Sequence, residues 1–160
     1  MNEQVRRART FAQIDVFTDE AYRGNPLAVV VDGSDLTTEQ MQQFANWTNL
    51  SETTFLLPPT DPAADYLVRI FTPVTELPFA GHPTLGSCRV WLDSGGTARD
   101  RDVIVQQCAA GLIPIRRDGS RLALRPPSRN WSACSGANRF MSSSPAPAAA
   151  RPTRRPSAST

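Results

Sequence analysis

Metal-binding side chains are scarce in this sequence, which has one histidine, His82, and three cysteines, Cys88, Cys108 and Cys134. No two cysteines form the C-x-x-C pair that is typical of zinc sites. We therefore expect no metal ion. An odd number of cysteines without a disulfide framework indicates reduced thiols, which are typical of a cytoplasmic protein.

Lysine is absent, and so are long apolar runs. No segment is apolar over enough residues to cross a membrane, and the N-terminus lacks the apolar core of a secretory signal. The 17 basic residues are all arginine and face 15 acids, so the formal net charge is only +2. Five of the arginines and none of the acids lie in residues 126–160. This balance predicts neither a nucleic-acid partner nor a membrane partner.

Several catalytic motifs are also missing, among them G-x-S-x-G, the P-loop and G-x-G-x-x-G. Acid–base catalysis is the reaction type that remains after these motifs are excluded. Glu52 is the candidate general acid or base because it lies at a predicted helix-to-strand junction between apolar segments. Partial burial there would raise the pKa of its carboxyl toward neutrality. The alternative is an ordinary loop carboxylate that caps a backbone group. Asp15 is a second candidate, with an ordinary carboxylate at a strand end as its alternative. Glu76 is expected to lie in a solvated link.

Hydrophobic periodicity predicts about seven or eight strands and two helices, and hence an α+β fold. The predicted strands are Phe11–Phe17, Pro26–Val31, Thr53–Leu57, Tyr66–Phe71, Val103–Cys108, Leu112–Arg116 and Arg121–Arg125, and the helices are Thr38–Asn49 and Pro83–Leu92. Thr37 and Gln40 form a capping box before the first helix. The first two strands are expected to pair antiparallel, the residues 72–78 to form a link, and Asp118-Gly119 to close a hairpin.

The stretch Phe79–Leu92, FAGHPTLGSCRVWL, predicts a tight turn into a buried helix. Pro83 suits the first helical position, which makes His82 the expected N-cap and lets Gly81 form the turn. Free N–H groups at such a helix start can bind an anion, for example a substrate carboxylate. The alternative is a turn into a core helix with His82 as a cap alone.

Four blocks of the chain resemble the phenazine-biosynthesis PhzF-like family in order and spacing. They are IDVFTDEAYRGNPLAVV, NLSETTFLLPP, YLVRIFTPVTELPFAGHPTLG and VIVQQCAAGLIPIRRDG. The resemblance covers about residues 11–127, which we expect to form one PhzF-like N-terminal domain. It implies the diaminopimelate epimerase fold, in which a mostly antiparallel sheet wraps around a central buried helix.

The resemblance also implies a function. Family members are cofactor-free isomerases that move a proton within a small carboxylic acid of the dihydro-hydroxyanthranilate type, at a cleft between two domains. It assigns the proton transfer to Glu52, in the N-L-S-E-T block, and a place in the substrate site to His82, Gly81 and Thr84. It gives Cys88, inside the predicted helix, no catalytic role.

The chain ends differ in composition from this domain. Residues 1–10 are polar and expected to be flexible. Residues 126–160 hold six prolines and no acid, so we expect residues 128–160 to be disordered, as in a truncated or out-of-frame product. They do not resemble the second domain of the family. The alternative function is therefore a non-catalytic module that binds a small acid or pairs with another subunit as a homodimer.

Overall fold

The computed structural model describes residues 7–124 and the strand Met141–Ser142. Eleven elements follow one another: β1 Phe11–Val16, β2 Asn25–Val30, α1 Thr38–Thr48, β3 Glu52–Leu57, β4 Tyr66–Phe71, β5 Glu76–Leu77, α2 Gly81–Asp93, β6 Val103–Cys108, β7 Gly111–Asp118, β8 Arg121–Leu124 and β9 Met141–Ser142. The predicted α+β fold is confirmed. The expected link 72–78 was an incomplete prediction, because it contains the short strand β5.

The described strands form one sheet in the order β1-β2-β3-β4-β6-β7-β8-β9, with β5 paired to β4. Strand pairs β2–β3 and β4–β6 are parallel, and the other pairs are antiparallel. Parallel neighbours need a crossover connection, and here α1 and α2 supply the two crossovers. The predicted antiparallel pairing of β1 with β2 is confirmed.

Helix α2 lies inside the curled sheet, where it contacts β1, β2, β3, β4, β6 and β8. Its residues Leu85 and Cys88 are buried in the main core with side chains from these strands. Gly86 allows the close approach, since a Cβ atom there would lie 2.5 Å from Leu27 Cδ2 and 2.9 Å from Val16 Cγ2. The expected central buried helix is therefore confirmed.

Helix α1 covers the opposite face of the sheet. Alternate residues of a strand point to opposite faces, so Phe55 and Phe71 pack with Met41 and Ala45 of α1 in a second core. The predicted capping box is present: Gln40 N–H donates to Thr37 Oγ1, and Thr37 N–H donates to Gln40 Oε1. No helix among the described residues is long and apolar enough to cross a membrane.

The start of α2 differs from the prediction. Ala80, in extended backbone with φ −152°, is the N-cap, so His82 and Pro83 lie at the second and third helical positions. Proline is tolerated at the third position because the N–H groups of the first helical residues have no i−4 carbonyl partner within the helix. His82 is therefore not the N-cap, and its side chain projects from the first turn of the helix.

The N-terminus that we expect to be flexible and the tail that we expect to be disordered lie largely outside the described residues. The ranges outside them are 1–6, 125–140 and 143–160. Residues 7–10 are described and lie beside β2. The Arg7 guanidinium pairs with Asp32 and Asp35, and Thr10 C=O accepts a hydrogen bond from Val31 N–H. The flexible N-terminus and the disordered tail stay predictions.

Candidate active site

Three separate parts of the chain meet at one end of the sheet. Strands β2 and β3 are parallel, with Leu27 opposite Glu52, so their N-terminal ends lie together. Asn25 begins β2 and Glu52 begins β3. The first turn of α2 brings His82 to the same place, because the helix crosses the concave face of the sheet. Residues that are 27 and 57 positions from Asn25 in the chain thus become neighbours.

Glu52 and His82 form the centre of this cluster. Glu52 Oε2 lies 3.1 Å from His82 Nε2, and the side chains are only 17% and 9% exposed. Within residues 7–124, neither of these two atoms has a hydrogen-bond partner at acceptable angles. Buried polar atoms are nearly always hydrogen-bonded in proteins, so such a facing pair is unusual and points to a place that a ligand can complete.

The pKa of the Glu52 carboxyl is lowered from its usual value. Interaction with the His82 ring is the main cause, and the side chain of Ser51 adds to it. Burial acts in the opposite direction but is outweighed. The expectation that burial would raise this pKa was therefore wrong, and Glu52 is ionised at neutral pH. An ionised carboxylate at rest is suited to accept a proton first.

The other side of the His82 ring contacts residues that the sequence analysis did not identify as functional. Asn25 Nδ2 lies 3.2 Å from His82 Nδ1, and Ser51 Oγ donates to Asn25 Oδ1 at 3.1 Å. The Phe17 ring packs edge-on against His82 with centroids 5.9 Å apart. Asn25 was not among the candidate residues predicted from the sequence. It stands, like Ser51, inside a block that resembles the family, and that position could have identified both.

Gly81 and Thr84 occupy different environments at the start of α2. Gly81 is exposed at the first helical position, and a Cβ atom there would meet nothing within 4 Å. Thr84 is fully buried, and its hydroxyl donates to Ala80 C=O and accepts from Gln106 Nε2. The structure thus brings Glu52 and His82 into contact and leaves Gly81 accessible beside them, whereas the Thr84 hydroxyl is engaged within the protein.

The remaining candidate carboxylates have structural partners. Asp15 Oδ2 accepts a hydrogen bond from Gly24 N–H at 3.0 Å. Glu76 is not a solvated link residue, because it makes two hydrogen bonds with Arg69 at 2.7 and 2.6 Å. Both acids therefore stabilise connections between strands.

The described cysteines, Cys88 and Cys108, are buried free thiols. Burial raises the pKa of Cys88 to about 12 and also raises that of Cys108. Since a thiolate is the reactive form, neither is a nucleophile at neutral pH. Among the described residues, no group of three or more His, Cys, Asp or Glu side chains is placed to hold a metal ion.

Comparison with known proteins shows the family of this chain. The family model described as phenazine biosynthesis-like protein matches residues 14–153. The trans-2,3-dihydro-3-hydroxyanthranilate isomerase of Pseudomonas aeruginosa is 41% identical over 76% of this chain and 44% of its own length. The antisense-enhancing sequence 1 protein of Schizosaccharomyces pombe is 52% identical over 70% of this chain and 38% of its own.

A solved structure agrees with these similarities. The Bacillus anthracis phenazine biosynthesis protein of the PhzF family has a TM-score of 0.62 and 30% identity over 70% of this chain and 38% of that chain. The 160 residues thus span less than half the length of the relatives they match. The match over residues 14–153 shows that the chain belongs to the phenazine biosynthesis-like, or PhzF, protein family.

Proposed function

We propose that this chain supplies the proton-transferring wall of a cofactor-independent isomerase that acts on a small carboxylic acid. The observation that carries the proposal is the buried pair of Glu52 Oε2 and His82 Nε2, 3.1 Å apart and without aligned partners among the described residues. The isomerase name of the Pseudomonas aeruginosa relative supports the reaction class and suggests trans-2,3-dihydro-3-hydroxyanthranilate as the first substrate to test.

Glu52 would act first as a base and then as an acid. Its ionised carboxylate takes a proton from one carbon of the substrate, and the electron pair of the broken C–H bond stays on the substrate as a delocalised anion. The protonated Glu52 then returns that proton to a different carbon. Atoms and electrons balance without a metal or redox cofactor, provided that the substrate is held in place.

The start of α2 would hold the substrate carboxylate. The first three residues of α2 are Gly81, His82 and Pro83. Pro83 has no N–H group, so the backbone N–H groups of Gly81 and His82 are the ones among these three that can bind an anion. His82 Nε2 lies beside them and next to Glu52. Thr84 contributes through its packing, since its hydroxyl is engaged with Gln106 and Ala80. A substrate whose acid group is bound there would lie within reach of Glu52.

Turnover by the 160 residues alone is proposed to be slow, because Glu52 and His82 furnish one side of a cleft. Misplacing a group by about 1 Å can cost on the order of 10²-fold in rate, so a cleft with only one of its two sides in place would lose at least as much. A homodimer that closes the cleft is the alternative, and a module that only binds a small acid is a second alternative.

The test is solvent-deuterium incorporation into trans-2,3-dihydro-3-hydroxyanthranilate. Two proteins are compared: the chain as it stands, and residues 1–124 fused to the part of the Pseudomonas aeruginosa isomerase that follows its matched segment. We expect exchange by the fusion and exchange at least about 10²-fold slower by the chain alone. A folded fusion that binds the acid without exchange would overturn the isomerase proposal in favour of a binding module. Equal rates would favour the homodimer.

A further inference from the structure

Phe17 places an aromatic ring at the edge of the proposed site. The residue directly follows β1, and its ring packs against the His82 ring with centroids 5.9 Å apart and an interplanar angle of 66°. Phe17 is nevertheless 41% exposed. One part of the ring therefore covers His82, and another part stays open to a ligand.

The direction of this ring differs from the one that its place in the chain predicts. Alternate residues of a strand point to opposite faces of a sheet. In β1, Ile14 and Val16 point toward α2, where both lie close to Gly86. Phe11 points to the other face, and its ring packs against an aromatic ring of α1. Continued alternation would direct Phe17 to the α1 face, but its ring lies against α2.

The backbone of Phe17 explains this change of direction. Its φ is +77°, in the left-handed region that bulky side chains rarely adopt. Contacts on both sides hold the segment: Thr18 Oγ1 accepts a hydrogen bond from Glu20 N–H. Asp15 Oδ2 accepts one from Gly24 N–H. Strained backbone of this kind persists where the surrounding structure fixes it, and it occurs most often at binding and catalytic sites.

We propose that Phe17 is a specificity-determining residue, whose ring contacts the flat, unsaturated part of a carboxylic acid bound at the start of α2. The inference rests on the proposed function for the carboxylate site and adds the class of the substrate, an acid group carried on a planar π-system. Because Phe17 lies against His82, an acid group bound beside His82 leaves the rest of a small ligand next to the exposed part of the Phe17 ring.

An aromatic ring distinguishes flat ligands from puckered ones. Two π-systems attract each other in offset-stacked or edge-to-face contacts, whereas a saturated ring gains buried apolar area alone. The class also suits the proposed proton transfer. When Glu52 takes the proton, the electron pair of the broken C–H bond passes into the neighbouring π-system of the ligand, and the resulting delocalised anion is flat as well.

The experiment compares benzoate with cyclohexanecarboxylate. Both carry one carboxylate on a ring of six carbons, but benzoate alone is flat and unsaturated. Each acid is titrated into the 160-residue protein without a histidine tag, and binding is followed by NMR through the ring protons of His82, the one histidine of the chain. We expect benzoate to bind about 2- to 10-fold more tightly, the range typical of one aromatic contact.

The matched variants are Phe17→Leu and Phe11→Leu. Leucine keeps an apolar side chain but has no π-system, so Phe17→Leu should bind the two acids with about equal affinity. Phe11 is 46% exposed, similar to Phe17, but its ring packs on the opposite face of the sheet. The Phe11→Leu variant should therefore keep the preference of the wild-type protein for benzoate.

A preference for benzoate that persists in folded Phe17→Leu would overturn the proposal, with circular dichroism as the check of folding. If this variant does not fold, the wild-type complex decides: we expect nuclear Overhauser contacts between benzoate and the Phe17 ring, and their absence at saturating benzoate would overturn the proposal. Equal affinities of the wild-type protein for the two acids would overturn this inference alone. Binding of neither acid would overturn the carboxylate site of the proposed function as well.

Discussion

At the scale of single residues, the contact with the His82 ring decides the direction in which the pKa of Glu52 shifts. Burial alone would raise the pKa of Glu52, and its lowered pKa shows that the contact with the ring outweighs that cost. The sequence could place Glu52 at a helix-to-strand junction, but it could not show a partner 30 residues away. The direction of the pKa shift was therefore wrong in the sequence analysis, although the residue itself was selected there.

The variant His82→Ala tests this dependence. Without the ring, burial is no longer opposed by its main counterweight, so the pKa of Glu52 should rise. A lowered pKa keeps Glu52 ionised down to a lower pH. Any activity that needs ionised Glu52 should therefore be lost at a higher pH in the variant than in the wild-type protein as the pH falls. Carboxyl ¹³C NMR titration of the labelled protein measures the shift directly.

A pKa that stays unchanged or falls in folded His82→Ala would contradict the account. Calorimetry on the same variant adds a second readout, since it should lose more affinity for a carboxylate ligand than for the corresponding amide. Equal losses for the two ligands would indicate that His82 supports the helix start without contacting the acid group.

At the scale of elements, helix α2 organises both the core and the site. Its N-terminal turn carries His82, and its interior packs against six strands. Strand β4 has the bounds that the sequence predicted, because a short, mostly apolar segment rich in aromatic and β-branched residues is typical of a strand, even with Arg69 inside it. The N-cap of α2 was misassigned, since proline fits any position of the first turn. Strand β5 pairs with β4 beside the contact between Arg69 and Glu76, and periodicity does not reveal either of them.

The variant Gly86→Ala tests the packing of α2. The added Cβ atom would lie 2.5 Å from Leu27 Cδ2, 2.9 Å from Val16 Cγ2 and 3.0 Å from Ile14 Cδ1, so the neighbouring side chains must shift. Overpacking of this kind costs about 1–3 kcal/mol of the free energy of unfolding. Urea unfolding followed by circular dichroism measures the change.

The matched control is Gly81→Ala, a glycine replacement in the same helix. Its Cβ atom would meet nothing within 4 Å, and its φ is not positive, so stability should be equal or higher by up to about 1 kcal/mol. Similar destabilisation by both variants would show that helix backbone effects, and not contacts with β1 and β2, account for the loss at Gly86.

At the scale of the whole molecule, the fold could be predicted better than the site. The element pattern and the family resemblance together predicted a sheet around a buried helix, and the structure confirms it. Two residues beside the Glu52–His82 pair, Asn25 and Ser51, were missed because their contacts form only where β2, β3 and α2 come together. In the proposed function, Glu52 and His82 lie on one side of the cleft.

The most direct test of the central claim is the proton exchange of Glu52→Gln. It is measured in the fusion of residues 1–124 to the remaining part of the Pseudomonas aeruginosa isomerase, with trans-2,3-dihydro-3-hydroxyanthranilate in deuterated solvent. Glu39→Gln, at an exposed position in the first turn of α1, is the matched control and should exchange like the unsubstituted fusion. Glutamine keeps the shape of the side chain but cannot carry the proton. We expect Glu52→Gln to bind the substrate and to lose exchange by more than the roughly 10²–10⁴-fold typical of one acid–base group. Near-normal exchange in Glu52→Gln would contradict the assignment of Glu52 as the proton carrier.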